Sequence, residues 1–284
     1  MFKKIFFVTA LLLASLLSAK PVVIASIAPV GYLAKAVGGD KIEVQSLAKG
    51  DVHSYEPKPN DMKAVAKARI FIAAGLEFEE AWIPRFKASA KNLVVVQSDA
   101  KIAKLKEERG EQAEHDEKHE AHADPHVWLN PMLAITMARN ISDALIDMDK
   151  ANKDFYLENF QKLMNDLLAF DESAKESLAG LKNRKFVVYH PAWGYFAAHY
   201  DLEQISIERS GKEPKIDEMA STLKMIKDEN IKVIFADPNR SQKSAQILAS
   251  QTGAKVELLD PLGYNLLENL KIAVGAIKDA NSPK

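Results

Sequence analysis

Apolar residues recur along this 284-residue chain in two distinct patterns. Short β-branched runs at 22–26, 42–47, 70–73 and 93–96 read as strands. The stretches between them repeat apolar residues every third or fourth position, as amphipathic helices do. Helices are placed at 29–37, stopped by Gly38-Gly39-Asp40, at 60–68 with Asn60 as cap, and at 79–90. Two further helices follow in succession, one at 131–148 opened by Pro131 and a much longer one at 152–178. In the longer helix Tyr156, Phe160, Leu163, Leu167, Phe170, Ala174 and Leu178 form one stripe that ends before Gly180. At 1.5 Å per residue that helix spans roughly 40 Å. Strand–helix alternation then resumes, with strands at 186–189, 202–207, 232–236 and 255–259. Helices run up to residue 230, across 241–251 and across 264–277.

Such alternation predicts an α/β protein of two lobes, each with a mostly parallel sheet flanked by helices. One long rigid backbone helix joins them. The expected division is a first lobe at 20–150, a linking helix at 151–180 and a second lobe at 181–284. Residues 1–19 are set apart. Lys3 and Lys4, an apolar run too short to span a bilayer comfortably, and Ser18-Ala19 make a secretory signal peptide.

Composition narrows the class of function. An apolar content of 47% with 27% charge fits a folded globular chain. The net charge of −1 offers no basic stripe for nucleic acid. Cysteine is absent, so the sequence supplies no thiol for a lipid, a disulfide or a thiolate metal site. Together these features predict a periplasmic monomer without a lipid anchor. Any metal would be held by imidazole and carboxylate.

Of the seven histidines, four lie close together. His115, His119 and His122 occupy an acidic stretch, 107–123, that cannot build a core. They fall at i, i+4 and i+7, one face of a helix if the stretch becomes helical, where they would serve as accessory metal-collecting residues. The competing reading is a solvated acidic loop. His126 stands just beyond, where polarity gives way to Val127, Trp128 and Leu129. Open parallel sheets bind ligands outside the carboxyl ends of their strands. His53, His126, His190 and Asp260 all fall at such ends, two from each lobe. Three imidazoles and a carboxylate complete a tetrahedral zinc shell at about 2.0–2.2 Å, and a nitrogen-rich set suits Zn²⁺ better than Mn²⁺. Spacing alone does not choose between Asp260-Pro261 and Asp237-Pro238. His199, among Tyr195, Phe196 and Tyr200, reads as structural.

At four places the chain resembles the zinc (ZnuA-like) group of periplasmic solute-binding proteins of bacterial metal ABC importers. The matching pieces are Gly50-Asp51-Val52-His53-Ser54-Tyr55-Glu56-Pro57 and Asp124-Pro125-His126-Val127-Trp128-Leu129-Asn130-Pro131. The others are Tyr189-His190-Pro191-Ala192-Trp193-Gly194-Tyr195-Phe196 and Leu259-Asp260-Pro261-Leu262-Gly263. The resemblance implies two α/β lobes joined by a rigid helix, with metal in the cleft on His53, His126, His190 and Asp260. It thereby favours Asp260 over Asp237. Manganese-binding relatives tend to carry a glutamate at the place of His190. The chain departs from many relatives in its shorter, poorer histidine stretch. It also lacks the second-lobe disulfide of some, a difference expected to affect stability rather than chemistry.

The resulting expectation is a receptor, not an enzyme, that takes Zn(II) as transported ligand and passes it to a cognate ABC importer permease. A Mn(II)/Fe(II) receptor of the same class is the alternative. A zinc hydrolase would need an open metal position and a base such as Glu56 or Glu208. A surface adhesin is a third class, disfavoured by the missing anchor cysteine. From the ordinary imidazole value near 6.5, metal binding is expected to fail as pH drops through that range.

Overall fold

The computed structural model describes residues 20–106, 123–208 and 216–281. Its first part runs β1 (Val22–Ala25), α1 (Ala28–Gly38), β2 (Glu43–Ser46), α2 (Pro59–Val65), β3 (Ile70–Ala73), α3 (Glu77–Ser89) and β4 (Val94–Gln97). All pairings are parallel, and the sheet order is β2-β1-β3-β4. Two helices follow, α4 (Pro131–Met148) and α5 (Lys153–Ala179). The chain continues with β5 (Lys185–Val188), α6 (Gly194–His199), β6 (Glu203–Ser206), α7 (Ile216–Asp228) and β7 (Val233–Ala236). It closes with α8 (Lys243–Thr252), β8 (Lys255–Leu258) and α9 (Leu266–Asn281). The second sheet repeats the first as β6-β5-β7-β8, again all parallel. In both sheets the chain leaves its first strand to one side and returns to the other. This order opens a crevice at the strand carboxyl ends between β1 and β3, and between β5 and β7.

Alternation within the strands decides what each sheet face touches. Val23, Ala25, Ile70 and Ile72 point into one large core, which also takes Phe186, Val188, Val233 and Phe235 from the second sheet. Their neighbours point the other way. Ile24, Phe71 and Ala73 pack with Val65 and Phe86, while Val187, Ile234 and Ala236 pack with Leu248. The shared core is continuous between the two sheets, and α5 runs through it. Its stripe residues Tyr156, Phe160, Leu163, Leu167, Phe170, Ala174 and Leu178 are all buried. They face α1 and α4 on one side and α9 on the other. Burying each large apolar side chain stabilises the fold by about 1.5–3 kcal/mol. No helix of the described residues is long and apolar enough to cross a membrane.

Local chemistry explains the element ends. Gly39 takes φ +53° and its N–H donates to Lys35 O, which ends α1 where the glycine pair predicts. Asn130 caps α4, its side-chain oxygen accepting from Met132 N at 2.9 Å and Leu133 N at 3.3 Å. The expected Asn60 cap is not the one used. Pro59 occupies the first helical position, and Asp61 reaches back to accept from Lys58 N at 2.8 Å. That helix also stops at Val65 rather than residue 68, because the chain tightens into i→i+3 bonds from Lys67 N to Ala64 O and Ala68 N to Val65 O.

Candidate metal centre

His53 and His126 are each held by an aspartate two residues earlier, and His190 by partners from distant parts of the chain. His53 follows β2 in a turn opened by Gly50 at φ +86°. Asp51 Oδ1 accepts from His53 N at 3.1 Å, and Asp51 Oδ2 accepts from Ser54 Oγ at 3.1 Å. His126 lies at the mouth of the buried turn Val127–Leu129. Asp124 Oδ1 accepts from both its backbone N, at 2.9 Å, and its ring Nδ1, at 2.7 Å. That bond puts the proton on Nδ1 and leaves Nε2 with a free lone pair. His190 comes two residues beyond the end of β5. Its Nδ1 lies 3.0 Å from Glu208 Oε2, beyond β6, and 2.8 Å from Arg240 Nη1, beyond β7.

The three rings meet although they come from both sheets. Ring centroids are 5.7 Å apart for His53–His126, 5.1 Å for His53–His190 and 5.3 Å for His126–His190. Among the described residues, these three form the group whose possible ligand atoms all lie within 4.8 Å of one another. The Nε2 atoms of His53 and His190 are 3.3 Å apart. Two nitrogens sharing a tetrahedral zinc at about 2.0–2.1 Å are themselves separated by about 3.3–3.4 Å. The spacing fits a small tetrahedral ion.

Electrostatics favour the ligating form. Burial, then the neighbouring His126 and Arg240, bring the His53 pKa down to about 4. Burial and then His126, Arg240 and His53 hold His190 well below its ordinary value. Both rings are therefore neutral at pH 7, as a metal ligand must be. The burial that shifts these two rings is a property of the fold that the sequence does not display.

The fourth expected residue is placed differently. Asp260 follows β8, and its Oδ1 accepts from Asn239 Nδ2 at 2.8 Å and from Leu262 N at 2.9 Å. It stands outside the close group of three. Asp237, the other candidate, is buried, with its carboxyl pushed up by desolvation first. Its Oδ1 accepts from Asn239 N at 2.8 Å and Asn239 Nδ2 at 3.0 Å. Asn239 thus joins the two aspartates that spacing could not separate. His115, His119 and His122 lie outside the described residues. The flanks of that stretch are joined, Lys106 bridging Ala123 and Asp124 N donating to Leu105 O at 2.9 Å. His199 is structural as expected, its Nε2 lying 2.6 Å from Asp171 Oδ1 on α5.

Several residues that shape the site had no assigned role in the sequence reading. Arg240 and Asn239 are the clearest; their one signal was position just beyond a strand carboxyl end. Glu208 entered only as the base of a hydrolase, yet its two oxygens are engaged by His190 and Arg240. The halves of the site are also cross-tied. Trp128 Nε1 donates to Pro261 O at 2.7 Å. Tyr195 OH donates to Asp124 O at 2.8 Å and accepts from Leu105 N at 2.8 Å. Gly194 makes room for this approach, since a Cβ there would stand 3.2 Å from Asp124 Oδ2.

Known proteins similar in sequence and fold give this geometry a context. Residues 23–280 match the ZnuA family, described as "Zinc-uptake complex component A periplasmic". The chain is 30% identical to the high-affinity zinc uptake system protein ZnuA of Bacillus subtilis, over 91% of this chain and 86% of that one. A crystal structure of ZnuA superposes with TM-score 0.86 at 35% identity, covering 93% of this chain and 100% of that one. A zinc-bound deletion mutant of ZnuA superposes with TM-score 0.86 at 34% identity, over 93% and 99% of the two chains. A Mn-bound periplasmic protein of Candidatus Liberibacter asiaticus, at 22% identity and TM-score 0.78, shares the fold over 93% of this chain and 100% of that one.

Proposed function

The chain belongs to the ZnuA family of periplasmic zinc-uptake components, and on that premise we propose how it handles its metal. It captures Zn(II) on the Nε2 atoms of His53, His126 and His190, with Asp260 as fourth ligand. It then delivers the ion to the membrane permease of an ABC importer. It is a solute-binding receptor rather than an enzyme. The observation that carries this reading is the convergence of three imidazoles from two sheets, with His53 and His190 at 3.3 Å. Support for Asp260 is its place at the same carboxyl edge as His190 and the resemblance of its motif. Against the hydrolase reading, Glu208 is engaged on both oxygens by His190 and Arg240, and Glu56 is exposed.

Finer parts of the proposal rest on the same frame. Residues 20–150 and 181–284 act as two lobes about the helix at 151–180. Residues 1–19 direct export to the periplasm, where the chain works as a monomer. His115, His119 and His122 serve as accessory collecting residues.

Metal competition and stoichiometry on chelator-stripped mature protein, with and without residues 107–123, test the reading. One tight zinc site in both forms is expected. Manganese displacing zinc would replace zinc with the Mn(II)/Fe(II) alternative. Loss of the tight site on deletion would move the primary ligands into the histidine stretch.

A further inference from the structure

His190 Nδ1 has two partners that it cannot satisfy together. Glu208 Oε2, at 3.0 Å, only accepts a hydrogen bond, so it requires a proton on Nδ1. Arg240 Nη1, at 2.8 Å, only donates, so it requires the Nδ1 lone pair. In a neutral imidazole each choice fixes the other nitrogen. With Nδ1–H donating to Glu208, Nε2 carries a free lone pair and can ligate. With Nδ1 accepting from Arg240, Nε2 carries the proton and faces His53 Nε2 at 3.3 Å. The second arrangement forms a continuous chain in which Arg240 donates to His190 and His190 donates to His53. It also occupies two of the lone pairs a metal would need. His126 has no such choice, because Asp124 takes its Nδ1 proton alone.

We propose that Arg240 is a positioning residue that holds His190 in the non-ligating Nε2–H tautomer when the site is empty, and so speeds release of the metal. Metal binding returns the proton to Nδ1, where Glu208 accepts it. The guanidinium then keeps its bond to Glu208 Oε1, at 2.9 Å, and turns toward Asp51 Oδ2, now 3.9 Å away on the His53 turn. No proton leaves the protein in this exchange; one moves from Nε2 to Nδ1 of the same ring. The inference rests on His190 ligating through Nε2, as in the reading above.

The test is ¹⁵N NMR of the histidine rings in metal-free protein at pH 7, which reports the tautomer directly. The wild type is expected to show His190 with the proton on Nε2. Arg240→Met, which keeps bulk and loses the donors, is expected to move it to Nδ1. The same substitution should slow zinc release roughly tenfold, the size set by one charge-assisted hydrogen bond. A wild-type His190 already protonated on Nδ1, or a tautomer unchanged in Arg240→Met, would overturn the proposal. Should Arg240→Met fail to fold, the wild-type spectrum decides alone. Full zinc affinity in His190→Ala would instead remove His190 from the ligand set, while the metal-free spectrum still judges the Arg240 contact.

Discussion

The two sides of the metal centre hold their histidines in opposite ways. On the first sheet's side, Asp124 fixes His126 through two bonds to one oxygen, and nothing among the described residues competes for that ring's Nδ1. On the second sheet's side, His190 is shared between a buried acceptor, Glu208, and a half-buried donor, Arg240. In the proposed site His126 is the preset ligand and His190 the negotiable one. A receptor that must both bind and release an ion gains from having one of each. A fully preset site would bind tightly but release slowly.

The harshest way to break this comparison is to remove a ring. His126→Ala and His190→Ala are each expected to weaken zinc by more than about 100-fold, beyond the 10–100-fold typical of losing an outer partner. Competition against a chelator of known affinity measures it, and wild-type binding in either variant would remove that histidine from the set.

Removing the outer partner should be milder and unequal. Asp124→Ala is expected to cost about 10–100-fold, because His126 then loses its tautomer and its backbone anchor together. Glu208→Ala is expected to cost less than Asp124→Ala only if Arg240 leaves the ring, so the ratio of the two losses sharpens the comparison.

Acid discriminates next. Lowered pKa values mean that the fold favours neutral His53 and His190. Below pH 6.5 the unfolded chain takes up protons that the folded chain refuses. Metal-free stability therefore falls as pH drops from about 6.5 toward 4, and rises again with pH over that window. Zinc meets proton competition from His53 only near its value of about 4. A plot of log affinity against pH between 7 and 5.5 should then have a slope of at most about one proton. Slopes of two or three would show that His53 and His190 titrate as ordinary exposed imidazoles.

The smallest effect is structural. Trp128→Phe deletes the Nε1 donor to Pro261 O and leaves a buried carbonyl short of its partner. It should lower stability by about 1–2 kcal/mol in thermal or denaturant unfolding. Unchanged stability would mean that this tie between the two sides is slack.

Much of the architecture was legible in the chain because it rests on local pattern. Parallel strands buried on both faces show as β-branched runs, and the α5 stripe shows as a period, with all seven of its predicted positions buried. Two of the histidines were legible because they sit at punctuation, His190 in a His-Pro sequence two residues past β5 and His126 in an Asp-Pro-His sequence where polar residues give way to Val127, Trp128 and Leu129. What stayed hidden depends on distant partners. Arg240 meets a ring 50 positions away, and Asn239 links to Asp260 across 21. Asp171 is similar. Beside an apolar stripe it looks misplaced, but it is buried with His199, 28 positions on, and with Lys175 at 2.7 Å. No periodicity encodes such pairs, because they arise only once the strand order has been set. Burial, which moves the histidine pKa values, is likewise a property of the folded assembly.

The central claim is that zinc sits on the Nε2 atoms of His53, His126 and His190. X-ray absorption on protein loaded with one equivalent of zinc tests it most directly. Three imidazole nitrogens at about 2.0–2.1 Å with one oxygen are predicted. A shell with one imidazole or none, filled by oxygens, would contradict it.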